Sequence, residues 1–240
     1  MPASFDALTE HLIDYAGLFP PAKLDMSPAC SAYARHLQSD DAKRLSHFVC
    51  PASRLDELST HGAPLMPGRF ATSGYREMAN ASEPWRVAAV LLPDRFEAGL
   101  DAITAFNAHH TSEDQGLASV ETIEVRAPDT AFIDAAIDAM PDRVFPYFEI
   151  DHAQDPRGMI AALSGHNAAA KIRCGTVEAA GMPTSEQVST FVHACALADV
   201  PMKCTAGLHH PIRGTYRLTY DDQPPMGEMH GFVNMFLAAA

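Results

Sequence analysis

The chain has 240 residues, of which 47% are hydrophobic and 20% charged; its formal net charge is −13, with only 17 Lys and Arg. These figures describe a folded globular chain rather than a disordered one, and a length suited to a single barrel-sized domain, residues 1–240. So acidic a chain has no general electrostatic attraction to nucleic acid or anionic lipid, which excludes both as expected partners and makes any cluster of its few cations informative.

The five cysteines, Cys30, Cys50, Cys174, Cys195 and Cys204, are odd in number and show neither a C-x-x-C nor a zinc-ligand spacing. Free thiols in a reducing cytoplasm are expected. The first ten residues lack a basic stretch followed by an apolar one, so no signal peptide is expected. No apolar run approaches the ~18 residues a membrane span requires.

In chain order, a short strand is predicted near residues 11–16, leading into Asp14-Tyr15-Ala16-Gly17-Leu18-Phe19-Pro20-Pro21-Ala22. The prolines and glycine of that stretch forbid a helix. Ser27-Pro28 reads as an N-cap followed by a first-turn proline, with Ala29, Ala32, Tyr33, His36 and Leu37 on one helical face. A strand is predicted at 45–50 and a short helix at 54–59. Residues 61–84 carry repeated Gly and Pro and read as an irregular insertion, with a short strand at 69–72. An unbroken apolar run at 87–92 suits a strand buried on both faces. From there strand and helix alternate: helix from Asp94, strand 119–126, helix from Asp129, strand 143–151, helix from Asp155-Pro156, strand 169–174, helix from Thr184, strand 201–205, and a helix over 229–240.

Strict alternation predicts βα units and a parallel sheet. A (β/α)8 TIM-barrel-like fold is the best match, incomplete at the C-terminus, and a doubly wound open sheet is second. No G-x-G-x-x-G, Walker loop or G-x-S-x-G elbow occurs.

In a barrel the catalytic face lies where strands end. Glu124 and Arg126, Glu149, Asp151 and His152, Lys171 and Arg173, and Lys203 and Thr205 fall at such ends, with His209, His210 and Arg213 in the following loop. Lys171 and Lys203 sit one βα unit apart, so neighbouring strands spaced by about 5 Å would bring their ammonium groups close. A nearby positive charge and desolvation both lower a lysine pKa, and a neutral amine attacks a carbonyl to give a Schiff base. The competing reading is a structural ion-pair ring in which the lysines are matched by Glu149, Asp151 or Glu124.

Arg173, Arg213 and Thr205 are candidate binders of an anionic substrate group, with Glu149, Asp151 and Asp14 as further substrate contacts. His209 and His210 are candidate proton shuttles. They also enter a divalent-metal alternative, in which Glu149, Asp151 or Asp14 with a histidine would ligate and Lys171 would act as base. No cofactor is otherwise expected. His109 and His110 end a helix, where cations suit the dipole, and are given no function. Cys174 and Cys204 alternate away from the lysines and are read as packing.

Four stretches, Asp14-Tyr15-Ala16-Gly17-Leu18-Phe19-Pro20-Pro21-Ala22, Lys171-Ile172-Arg173-Cys174-Gly175, Thr205-Ala206-Gly207-Leu208-His209-His210-Pro211 and Met229-His230-Gly231-Phe232, resemble the signatures of a bacterial family of uncharacterised barrel-like proteins. That resemblance implies no reaction. It implies a further strand beyond the Met-His-Gly-Phe helix, so the last barrel strand is expected to be missing here or supplied by another chain, as in a homo-oligomer. The two lysine strands are similar to those of deoxyribose-phosphate aldolase. By position, that similarity implies Lys171 as the Schiff-base lysine and Lys203 as its modulator. Arg173-Cys174 departs from the small hydroxyl residues of that family.

The leading expectation is an aldolase-type lyase acting on a small anionic carbonyl compound. The alternatives are a divalent-metal barrel lyase or isomerase, and a non-catalytic binding or assembly module.

Overall fold

The computed structural model describes residues 3–68 and 83–240. The strand predicted at 69–72 and most of the predicted insertion lie outside them. Strands β1 (Ile13–Tyr15), β2 (Leu45–Pro51), β3 (Trp85–Leu91), β4 (Ala118–Arg126), β5 (Phe145–Glu149), β6 (Ala169–Arg173) and β7 (Met202–Thr205) form a seven-stranded sheet in sequence order. The pairs β1–β2, β2–β3, β5–β6 and β6–β7 are parallel. This is the α/β class that the alternating pattern predicts. The chain divides into two compact units, Met1–Ile123 and Glu124–Ala240. Among the described residues, no helix is long and apolar enough to cross a membrane.

The first unit holds α1 (Ala3–Thr9), α2 (Met26–His36), α3 (Leu55–Gly62) and α4 (Phe96–His109). Its core is aromatic. Tyr33 of α2 meets Phe48 of β2 edge-on at 5.3 Å and Trp85 of β3 at 5.0 Å, and its hydroxyl donates to the Ser46 carbonyl at 2.8 Å. A large ring thus buries its area while its one polar atom keeps a partner. Two helix starts differ from prediction. α2 begins at Met26 with Asp25 as N-cap, ahead of Ser27, and makes no side-chain cap bond. The Asp94 to Glu97 spacing forms no capping box, because a 3-10 turn over Pro93–Arg95 moves the cap position to Arg95.

His110 also departs from its predicted role as a dipole-stabilising cation. It is 1% exposed, its Nδ1 lies 2.7 Å from the Gly116 carbonyl, and Ser59 Oγ is 2.9 Å from its Nε2. Nδ1–H therefore donates to Gly116, and Nε2 accepts from Ser59. Burial holds its pKa below the ordinary histidine value against the pull of the Gly116 carbonyl. The folded chain thus binds this proton less readily than the unfolded chain. The stability it contributes is full above the unfolded value near 6.5 and declines as pH falls through it. Imidazole NMR is expected to show His110 titrating below the exposed histidines; titration at or above them would contradict the assignment.

The second unit holds α5 (Thr130–Asp138), α6 (Arg157–Leu163), α7 (Ser185–Ala198) and α8 (Phe232–Ala239). Two of the predicted helix starts are realised here. The Asp129 side chain accepts from Phe132 N–H at 2.8 Å. Thr184 and Gln187 form a reciprocal capping box at 3.2 and 2.8 Å. These bonds satisfy amides that the first helical turn leaves without partners. Phe148, Ile160, Ile172 and Phe191 fill the core, all at 2% exposure or less.

The helix predicted over 229–240 begins at Phe232 instead. Met226–Met229 is strand β9, which pairs antiparallel with β8 (Gly214–Arg217). Strands of four residues with one buried side carry too little alternation to stand out in the sequence.

Candidate active site

The alternation that makes β5, β6 and β7 strands also aims one set of side chains to a common side. Glu149 is the register partner of Lys171, and Lys171 of Lys203. Three charged residues thus stand side by side across three strands. A fourth, Glu124 of β4, closes the group. Its Oε2 lies 2.6 Å from Lys171 Nζ and its Oε1 2.7 Å from Lys203 Nζ. Glu149 Oε2 is 2.7 Å from Lys171 Nζ. One carboxylate thereby bridges both ammonium groups, and Lys171 lies between two carboxylates.

The cluster is withdrawn from water. Lys171 is 4% and Glu124 5% exposed, while Lys203 and Glu149 are half-buried. Burial is the largest single influence on Glu124 and pushes its pKa up. Lys171 and Lys203 together outweigh it and hold the carboxyl below its ordinary range. Ion pairs this dry persist only when geometry and hydrogen bonds offset desolvation, which four mutually paired groups provide. Lys203 Nζ also lies 4.8 Å from the Tyr147 ring centroid.

The loops that follow the two lysine strands touch through glycine. A Cβ on Gly175 would fall 2.3 Å from Gly207 Cα, and Gly207 itself has a positive φ of 69°. Cys174 N–H donates to the Thr205 carbonyl at 2.7 Å just before this contact. No side chain fits between the strand ends, so the lysine strands are held at fixed separation where they leave the sheet.

The remaining candidates are distributed. Arg173 faces Thr205 across the β6–β7 register and approaches Glu149 at 3.8 Å. With its side chain 54% exposed, it is the cation of this group most open to a ligand. Asp151 accepts from the Ala153 amide at 3.0 Å and from Arg126 at 2.6 Å, and these bonds, the amide first, hold its carboxyl below the usual range. Arg213 pairs with Glu228 of β9 at 2.6 Å. The ring of His210 stacks on Tyr216 at 3.5 Å, and His209 beside it is exposed. Asp14 belongs to the first unit, where Oδ1 accepts from the His47 amide at 3.1 Å and faces His47 Nδ1 at the same distance.

Cys174 is fully buried, as predicted for a packing residue. The interaction of its thiol with Cys204, together with burial, pushes the Cys174 pKa up, and the same interaction lowers that of Cys204 against the effect of burial. Among the described residues, no three His, Cys, Asp or Glu side chains are grouped to hold a metal ion. Glu149, Asp151 and His209 or His210 therefore do not form the ligand set that the metal alternative requires. A cleft of about 910 Å³ in the second unit is lined by Asp151, His152, Arg157, Gln187, His193 and Leu197, among others, and by neither lysine.

Sequence reasoning places Glu124 only as one potential ion-pair partner; in the structure it is the centre. The detectable signal was a carboxylate set between Ile123 and Val125 near the end of a strand. Comparison with protein-family models, with curated proteins and with solved structures gives no match.

Proposed function

We propose that the second unit carries a lysine-dependent active site of aldolase type, acting on a small anionic carbonyl compound. The observation that supports it most is the shared carboxylate: Lys171 and Lys203 both contact Glu124, at 2.6 and 2.7 Å, with Lys171 almost wholly buried. In this reading the sheet belongs to a (β/α)8-type plan, and the lysines lie at its catalytic end. The similarity of the lysine strands to deoxyribose-phosphate aldolase agrees with it.

Lys171 acts as nucleophile. Its ammonium passes a proton to Glu149, in contact at 2.7 Å, and the free amine attacks the carbonyl carbon. Loss of the carbonyl oxygen as water leaves an iminium. The bond between the α and β carbons then breaks as the β-hydroxyl gives up its proton and leaves as an aldehyde, and the resulting enamine is protonated at the α-carbon and hydrolysed to release Lys171. Lys203 remains the fixed cation beside it. Arg173 and Thr205 receive the anionic group, and exposed His209 serves as the proton shuttle to water.

Borohydride reduction in the presence of 2-oxo acids and sugar phosphates tests the proposal. The expected result is a covalent mass increase on the intact chain with at least one probe. An unchanged mass with every probe would reject it.

A second reading is supported by the same geometry. Because each charge in the cluster has a partner, the group also fits a structural ion-pair network in a non-catalytic module. That reading predicts no adduct, and no shift of the melting temperature by any of the probes.

A further inference from the structure

The ring of Tyr147 beneath Lys203 has no part in the chemistry above, and the sequence did not single it out. Phe145, Tyr147 and Glu149 alternate onto one side of β5, and Glu149 is already in the cluster. Tyr147 is the register partner of Ala169, two residues before Lys171 on β6. Lys203 stands on β7, the next strand but one from Tyr147. β6 lies on the path between them, with Ala169 level with Tyr147 and Lys171 level with Lys203. Ala169 is 0% exposed and is the smallest side chain that still shields the backbone there. A larger residue at that point would block the path.

We infer that Tyr147 is a positioning residue for Lys203: its ring face holds the ammonium group where Lys203 shares Glu124 with Lys171. The ring's negative face attracts a cation most strongly where water is scarce, and Lys203 has only 17% of its side chain exposed. The contact needs the ring and not the hydroxyl. It favours Lys203 in its charged form, which is the role the proposed mechanism gives it. It also separates the two lysines that share Glu124: among the described residues, the aromatic face lies under Lys203 and not under Lys171. The assignment of roles within the pair rests on the proposed amine chemistry; the positioning of Lys203 does not.

Trace reductive methylation with formaldehyde and cyanoborohydride, followed by peptide mass spectrometry, reads the positioning directly. Only an uncharged, accessible amine is labelled, and no substrate is involved. In Tyr147→Leu, labelling of Lys203 relative to exposed lysines is expected to rise between about twofold and thirtyfold, the span of a cation–π contact. In Tyr147→Phe it is expected to match the native chain. Equal labelling in all three would overturn the inference, as would a Phe variant that behaves like the Leu variant. Should Tyr147→Leu fail to fold, Ala169→Leu provides the second arm: it keeps the ring and blocks the path, and the same rise in Lys203 labelling is expected. No rise there would count against the inference.

With pyruvate and borohydride as probe, the native chain and Tyr147→Phe should also yield the same amount of adduct, and Tyr147→Leu less. Absence of adduct in the native chain with pyruvate and every other probe would reject the proposed function and leave the labelling result to decide the role of Tyr147.

Discussion

Replacing Glu124 by leucine is expected to destabilise the second unit by about 3–5 kcal/mol, the cost of removing one partner from a buried charge pair. Glu124 is in contact with both ammonium ions, at 2.6 and 2.7 Å. Lys171 would keep Glu149 at 2.7 Å, whereas Lys203 would lose its 2.7 Å contact with Glu124. Denaturant unfolding followed by a probe in the second unit measures the loss. Adding Lys203→Met to Glu124→Leu should recover part of it, because one of the two cations facing the missing carboxylate is then removed and an apolar pair takes its place. A loss below about 1 kcal/mol would mean that the cluster is solvated and that its dryness is not a property of the molecule.

Gly175→Ala is the second substitution with a large expected effect. Its Cβ would lie 2.3 Å from Gly207 Cα and 2.5 Å from Gly207 N, atoms of backbone that no rotamer change can move aside. The two loops must part, and with them the ends of the lysine strands. A loss of about 2–3 kcal/mol is expected, toward the upper end of overpacking costs. Gly158→Ala is the matched control. Gly158 lies in α6 with nothing within 4 Å of the added Cβ, so alanine there should be neutral or stabilising by up to about 1 kcal/mol. Equal effects at the two positions, read by thermal unfolding, would show that the close approach of Gly175 to Gly207 does not constrain the strands.

These expectations rest on features of unequal visibility in the sequence. The run of βα units was legible because each strand from Val87 onward is bounded by a helix with a readable start, as at Asp129 and at Thr184, whose side-chain cap bonds are both present. Lys171 and Lys203 were legible because a cation within an apolar strand is costly and so calls for partners. Glu124 was harder to rank. Its partners are on β6 and β7, and nothing in the spacing along β4 tells which of its late residues turns toward them. Tyr147 was invisible for a related reason: an aromatic in a strand reads as packing, and only the folded sheet, which sets Lys203 Nζ 4.8 Å from its ring centroid, reveals a cation over its face. The β8–β9 hairpin was missed because a four-residue strand such as Met226–Met229 has too short a period to detect. The Asp94 start was misplaced because a 3-10 turn over Pro93–Arg95 precedes that helix, and the Ser27 start because Asp25, two residues earlier, takes the cap position.

The account depends above all on the chemistry of one amine, and locating a reduced adduct tests it most directly. The native chain is incubated with the carbonyl probe that gives the largest mass increase under borohydride, digested, and its lysine-bearing peptides sequenced by mass spectrometry. The account predicts the adduct on Lys171, none on Lys203, and none in Lys171→Met. An adduct on Lys203 with Lys171 unmodified, or an adduct that survives intact in Lys171→Met, would contradict it.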